Sequence, residues 1–408
     1  MARNESALKV FTAIYVICIV IFIVICPYFR HIIKPVLCVA LICVLAISRI
    51  KKLKKLIYDY EDWFVYAPFI AFAISAIISV ILSKDIKHSY SVFMERYILY
   101  FLVFEIGRFL FAEKVVSDVM KQSFRVDIFE LSKYTFICAA LVMGIGGFID
   151  YLRFYPARLF SVFGYTVQFL MLPLFIIYFL PIVFCLMFKN KIMFQRILAI
   201  FSFILLFMSM LFTGSRSAWI AGISSIFFVS FFFAKRNLKY LIPGVVIFTA
   251  AAYLCMPGRF HDFSSVFDRM GIMSAAVAIF RDNIFWGAGP GMYEKLLHIY
   301  SSNSIYLHAH NTYLEILAEM GIVGLITFLS IFVGFYFYIV RKILPFLKNN
   351  INKAFYIAFL SSNFGVLIFA LFASIITVGF HDAPVFWLFF GMSFGLSQRI
   401  SSESTQSL

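Results

Sequence analysis

Residues 313–340 read YLEILAEMGIVGLITFLSIFVGFYFYIV. A membrane-crossing helix needs about 20 mostly apolar residues, and this run of 28 exceeds that length. The run is continuous, unlike the strands of a membrane barrel, which alternate apolar and polar residues over segments of about ten. Working outward on the same criterion yields about twelve runs, at 8–29, 31–48, 63–83, 91–112, 133–152, 166–188, 197–213, 216–234, 240–256, 313–340, 354–379 and 383–397. The expected fold is therefore an all-α integral membrane protein of about twelve transmembrane helices.

Composition calls for the same solvent. Of the 408 residues, 63% are hydrophobic and 13% charged, against about 45–50% and about 25% in soluble domains. Too few polar side chains exist to cover a water-facing surface, which excludes a soluble enzyme or a soluble binding module. The seven cysteines all fall inside or at the edge of apolar runs and show no CxxC or Cys/His spacing. They read as buried thiols, without a disulfide framework or a zinc site.

The formal net charge of +15 would suggest a nucleic-acid partner in a soluble chain. Here the Lys and Arg of the short loops set orientation instead. Five loops on one side, including Arg49–Lys55 and Arg341–Lys353, hold eighteen basic residues, and the opposite loops hold six. This bias predicts that both termini face the cytoplasm. It also places 257–312 outside, as one large loop between the ninth and tenth spans of a single polytopic domain, 1–408. The N-terminal run is too long for the apolar part of a signal peptide and lacks a cleavage site, so a retained span is expected. Residues 8–29 and 31–48 also fit a hairpin broken at Pro27, and the tail SSESTQSL is expected to be disordered.

Once the cytoplasmic basic loops are set aside, the remaining polar residues gather on the outer side. They are Arg158 in YPARLFSVFGY, Arg216 in TGSRSAWIAG, Arg269 in FDRMG, Arg281 in FRDNIFWGAGPGMYE, and His308 and His310 in LHAHNTYLEILAEMGIVG. Ionisable groups at the edge of a membrane bundle are functional candidates by default. Arg216, in a tight turn between two apolar helices, is either an interfacial arginine snorkelling to lipid phosphate or a fork for a bound phosphate. His310 begins a helix-like run with Asn311 as a local cap. The pair His308 and His310 lacks a third ligand, so no metal is expected. Asp382 in GFHDAP is a cap or an orienter of a basic group. Glu95, Arg96, Glu105 and Arg108 fall in the fourth span, where Glu105 and Arg108 read as a buried structural ion pair. The glycines of WGAGPGMY follow no strand, which rules out a dinucleotide fingerprint and leaves a turn that brings backbone close to a ligand.

His310-Asn311, nine residues, Gly321, two residues, Gly324 resembles the signature of the O-antigen ligase family and its relatives in the Wzy_C superfamily. The segment from Asp268 to Tyr293 resembles that family's arginine-led periplasmic stretch, and RLFSVFGYTVQF and GSRSAWIAG resemble its earlier arginine loops. Motifs cover about 155–335, and the topology of about twelve spans with a large loop before the histidine helix covers the whole chain. The resemblance implies a GT-C-like membrane glycosyltransferase of the Gram-negative inner membrane. Such an enzyme moves O-antigen from undecaprenyl pyrophosphate to a sugar of lipid A-core, with no cofactor, metal or nucleic acid.

On that reading His310, Arg216 and Arg269 are catalytic, and Arg158, Arg281, His308, Asn311 and Asp382 bind pyrophosphate or glycan. A glycosyl pyrophosphate already carries a good leaving group, so arginines that stabilise charge and a neutral histidine that accepts the hydroxyl proton suffice. The absence of a DxD-like pair in the outer loops agrees with a metal-free route. Two other functions fit parts of the pattern. A polymerase of the same superfamily shares the donor chemistry. A twelve-span secondary transporter shares the shape, although transporters place polar residues at mid-membrane. Protein oligosaccharyltransferases with this signature carry extra C-terminal sequence beyond the last span, which favours the ligase. The acceptor sugar and the oligomeric state are not encoded in any motif.

Overall fold

In the computed structural model, the structure describes residues 2–25, 28, 32–51, 62–154, 161–162, 165–166, 171–189, 192–233, 238–256, 264–300, 308–344, 353–377 and 382–405. The elements are α1 (Ala2–Val24), α2 (Ile33–Ile50), α3 (Trp63–Leu82) and α4 (Ile86–Val92), which passes through a π-helical turn (Phe93–Ile98) into α5 (Leu99–Ala112). Then come α6 (Lys114–Phe124), α7 (Ile128–Phe154), strands β1 (Ser161–Val162) and β2 (Tyr165–Thr166), α8 (Met171–Lys189), α9 (Met193–Phe212), α10 (Arg216–Phe233) and α11 (Leu238–Cys255). The chain continues with α12 (Ser264–Asp282), α13 (Met292–Tyr300), α14 (Thr312–Tyr338) with a further π turn (Ile339–Ile343), α15 (Lys353–Phe369) and α16 (Asp382–Thr405).

Helix α3 shows why this assembly needs lipid around it. Val65, Phe69, Phe72, Ala76 and Val80 are buried at helical spacing, while Ile70, Ile74, Ile77 and Ile81 on the other face stay exposed. A continuous apolar stripe of that kind is unfavourable against water and neutral against hydrocarbon. Among the described residues, six helices are long and apolar enough to cross a membrane: Asn4–Val24, Ile33–Ile50, Trp63–Leu82, Ile128–Arg153, Met193–Phe212 and Thr312–Ile343. Apolar stretches of α8, α10, α11 and α15 are shorter. The all-α membrane expectation holds at this level.

Lipid tails are as apolar as leucine, so helices in a membrane are held by close backbone approach more than by hydrophobicity. At the crossing of α5 and α16, a Cβ on Gly391 would lie 1.9 Å from the Phe104 carbonyl oxygen, and on Gly395 2.1 Å from that of Arg108. Gly107 returns the contact, 2.1 Å from the Leu388 carbonyl. Phe104 stacks on Phe394 at 5.9 Å beside this seam. The expected ion pair lies at the same crossing: Arg108 Nε donates to Glu105 Oε2 at 2.8 Å, and its Nη1 donates to Gln398 Oε1 at 3.1 Å. Tyr66 donates to the other Glu105 oxygen at 2.9 Å, and Gln398 donates to Asp62 at 2.9 Å. Both buried charges are thereby fully engaged, as such a pair must be to persist.

A second, smaller apolar core lies apart from the main one. Ile272, Ala275, Ala276 and Ile279 of α12 pack with Ala288, with Met292, Tyr293 and Leu297 of α13, and with Ala309 and Ala318. Helices α12 and α13, with the turn between them, therefore pack on the start of α14.

Several expectations are corrected. Cys38, Cys138 and Cys255 are exposed, on outward apolar faces of α2, α7 and α11, while Cys18, Cys43 and Cys185 are buried; all six are free thiols, and Cys26 lies outside the described residues. The C-terminal tail continues α16 as far as Thr405. The loop 114–125 is largely helical, with Val116, Val119 and Met120 buried on one face of α6. Pro27 is outside the described residues. The hairpin pairing Ser161 with Thr166 was not expected, its strands being two residues each.

Because Gly391 has no room for a side chain, Gly391→Leu is expected to part α5 from α16 and to lower the thermal unfolding midpoint of the purified protein in detergent. Gly244→Ala, where nothing lies within 4 Å of an added Cβ, is expected to leave that midpoint unchanged or raise it, since alanine favours a helix interior by about 1 kcal/mol.

Candidate functional site

Helix α14 does not run regularly. At Gly321 the backbone turns to φ 66°, ψ −167°, which breaks the i to i−4 ladder and frees main-chain groups on either side. The glycine turn between α12 and α13 satisfies them. Ala288 N donates to Ala318 O at 3.0 Å and Gly289 N to Glu319 O at 2.8 Å, while Ile322 N donates to Ile284 O at 2.9 Å and Val323 N to Phe285 O at 3.3 Å. Ser79 of α3 adds a hydrogen bond to Glu319 O at 2.8 Å.

Two glycines make this seam sterically feasible. A Cβ on Gly287 would sit 2.2 Å from the Glu319 carbonyl carbon, and one on Gly321 2.3 Å from the Phe285 oxygen. Both have positive φ, a region that costs other residues roughly 1–2 kcal/mol. The glycine turn thus approaches a helix backbone, which accounts for the glycines that the sequence reading held open for a ligand. Its far side rests on α4, where His88 Nε2 meets Gly291 O at 3.2 Å.

Nine residues separate Asn311 from the break, about 14 Å of helix. Asn311 caps α14 as expected: its Oδ1 accepts from Tyr313 N and Leu314 N, each at 3.0 Å. Thr312 is tied to the end of α15 through Thr312 N to Ala370 O at 2.9 Å and its hydroxyl to Ala373 O at 3.0 Å. His310, the residue before the cap, is held at φ 51°, a left-handed conformation that is uncommon outside glycine and recurs at functional sites.

The sequence reading missed two carboxylates. Glu315 and Glu319, one turn apart, are both buried. Glu315 Oε1 lies 3.5 Å from His308 Nδ1, and its Oε2 accepts from Ala309 N at 3.3 Å and Ser374 Oγ at 2.5 Å. Glu319 Oε1 accepts from Tyr293 N at 3.4 Å, on the helix after the glycine turn. The charge of Arg96, from the π turn, acts on both carboxylates. Two acids at i and i+4 in an otherwise apolar run were the available signal. Nothing in the sequence marks the π turn, a device often found at functional sites.

The two histidines differ in character. Burial, together with the positive charges of Arg269 and His308, pushes His310 down to about 4, against a smaller opposing effect of Glu315. For His308 burial also acts downward, but the hydrogen bond and charge of Glu315 outweigh it and the pKa rises. At neutral pH His310 is a neutral imidazole, able to accept a proton.

The structure thus brings His310, His308, Asn311 and Arg269 to one place, with Arg269 in the second turn of α12. Arg281, at the other end of α12, is exposed. Arg216 is half-buried and is the first residue of α10, following a turn at Gly214. Gly365 packs on Ala221 and Ser225, and Phe364 stacks on Phe228, so antiparallel α10 and α15 put Arg216 at the same end of the bundle as Ala370 and Thr312. Asp382 is the first residue of α16; Arg158 lies outside the described residues.

Residues 201–329 match the Wzy_C family model, described as O-antigen ligase. The match spans α10, the 257–312 segment and the broken half of α14, and bears out the resemblance drawn from the motifs. No curated protein matches the chain.

Gly321→Ala is expected to disturb both partners of the seam. It should lower the unfolding midpoint and raise hydrogen exchange at 284–289 together with 318–323, whereas the exchange of α5 and α16 stays as in the parent protein.

Proposed function

We propose that the protein is an O-antigen ligase: a twelve-span inner-membrane glycosyltransferase with both termini cytoplasmic and the 257–312 segment in the periplasm. It moves O-antigen from undecaprenyl pyrophosphate to a sugar of lipid A-core. The observation that carries this reading is the pairing of Arg269 with a neutral, backbone-strained His310 at the start of α14, within the family match. The family covers ligases and polymerases, and the polymerase reading would draw on the same donor chemistry.

Arg216 and Arg269, with Arg158 as a third contact, grip the pyrophosphate through charge-assisted hydrogen bonds and stabilise the charge that grows on it. The acceptor hydroxyl oxygen attacks the anomeric carbon from the opposite face. The bond from that carbon to the phosphate oxygen breaks, its electron pair leaves with undecaprenyl pyrophosphate, and the hydroxyl proton passes to the His310 imidazole. A single displacement inverts the anomeric configuration. His308, Asn311, Arg281 and Asp382 border the glycan path, and the apolar bundle holds the polyprenyl and acyl chains.

The low pKa of His310 fits a substrate-tuned base. Burial and, after it, the charge of Arg269 suppress it in the free enzyme, and an anionic pyrophosphate on Arg269 offsets the second of these. The pKa then rises once the donor is bound, while the effect of burial persists.

This gives a specific pH dependence. The acidic limb of kcat/KM, which reports the free enzyme, is expected near 4, and that of kcat, which reports the complex, at higher pH. Arg269→Met is expected to move the kcat/KM limb upward. Coincident limbs in the parent protein would argue against tuning by the donor.

The function itself is tested by supplying purified protein with undecaprenyl-linked glycan and either lipid A-core or a second lipid-linked repeat. Transfer to lipid A-core is expected, with a loss of at least about 100-fold in Arg216→Ala and His310→Ala. Transfer only to the lipid-linked repeat assigns a polymerase, and vesicle transport without glycan transfer assigns a transporter.

A further inference from the structure

The mechanism above uses His310 and leaves the buried carboxylates beneath it without a role. A carboxylate within an apolar helix is costly unless paired, and such residues persist where they serve a function. Glu315 has its side chain directed back over the N-terminal end of α14, as helical geometry requires. There one carboxyl group joins two segments: His308 and Ala309 of the turn before the helix, and Ser374 of the segment after α15.

We propose that Glu315 is a positioning residue for the histidine turn, holding His308, Ala309 and hence His310 over the start of α14, with Arg96 of the π turn as its counter-charge. The proposal rests on the reading of His310 as the proton acceptor.

The geometry supports each part. The turn is fixed on one side by the Asn311 cap and the Thr312 ties to α15, which begin at the residue after His310. On the other side Glu315 holds the backbone at Ala309 and the ring at His308. His310, at φ 51°, thus lies between two anchored stretches of chain.

Arg96 completes the cluster. A π turn carries one residue more per turn than an α-helix, which rotates later side chains by about 100°. The turn at Phe93–Ile98 contains Arg96, and it is the described basic residue whose charge acts on both Glu315 and Glu319. The groups facing His308 are Glu315, Arg96 and Glu294, and those facing His310 are Arg269, His308 and Glu315.

The test uses the full chain in nanodiscs, with lipid-linked glycan as donor and lipid A-core as acceptor. Glu315→Gln keeps the shape and can still accept from Ala309, but loses the charge that meets His308. A drop in kcat of about 10-fold or more is expected, with the donor KM within about twofold of the parent. Ser374→Ala removes one contact without changing charge and is expected to fall between the two.

A second readout does not depend on glycan transfer. In a His310→Gln background, carbethoxylation of His308 followed by mass spectrometry reports its titration. Loss of Glu315 is expected to speed the reaction severalfold at pH 6, because the ring loses the partner that raises its pKa. An unchanged His308 rate in Glu315→Gln overturns the proposal, as does a parent-like kcat in both variants. If His310→Ala transfers glycan normally, the functional reading falls instead, and the His308 measurement still decides whether Glu315 holds the turn.

Discussion

Everything at the site depends on one exchange of main-chain hydrogen bonds, in which α14 gives up its own ladder at Gly321 and takes partners from the 284–289 turn. Backbone groups in a membrane protein must be satisfied internally, so a helix there can break only where another protein segment supplies donors and acceptors. The break therefore fixes the position of the 284–289 turn, and the turn fixes the break. Arg269 rides on α12 at one end of that turn, and His310 sits where α14 begins. The charge of Arg269 reaches His310 there.

Electrostatics is layered on that frame. At the first of its two layers, burial and then the nearby charge of Arg269 favour the neutral imidazole of His310. Beneath it Glu315, Glu319, Arg96 and His308 form a cluster in which opposite charges share a buried space. The two layers act in opposite directions on neighbouring histidines two residues apart, which separates their proton affinities. Adjacent titratable groups driven apart in this way are a common means of assigning distinct roles at one site.

Much of this was legible in the amino-acid sequence. Apolar runs of about 15 to 28 residues pointed to the helices, because hydrocarbon leaves few alternatives, and the motif around His310 and Gly321 pointed to the candidate site. Asn311 was readable as a cap because its chemistry is local. What escaped is non-local. The purpose of Gly287 and Gly321 depends on a partner backbone some thirty residues away, and the approach of Gly391 to Phe104 on one much farther off. The partition of Cys18 and Cys38 between core and outward surface depends on which helix face finds a neighbour. Glu315 and Glu319 stood in plain sight, but their importance lies in facing Arg96, and a π turn leaves no periodic trace.

The seam between α14 and the glycine turn is made of main-chain atoms, which every amino acid shares. Apart from the few positions where a side chain would collide, substitutions in this loop leave its hydrogen bonds intact. Surface-facing residues such as Phe285 and Ile284 can therefore drift without moving the arginine or the histidine. A geometry written in backbone lets the surrounding side chains diversify while the relative placement of α12 and α14 stays fixed.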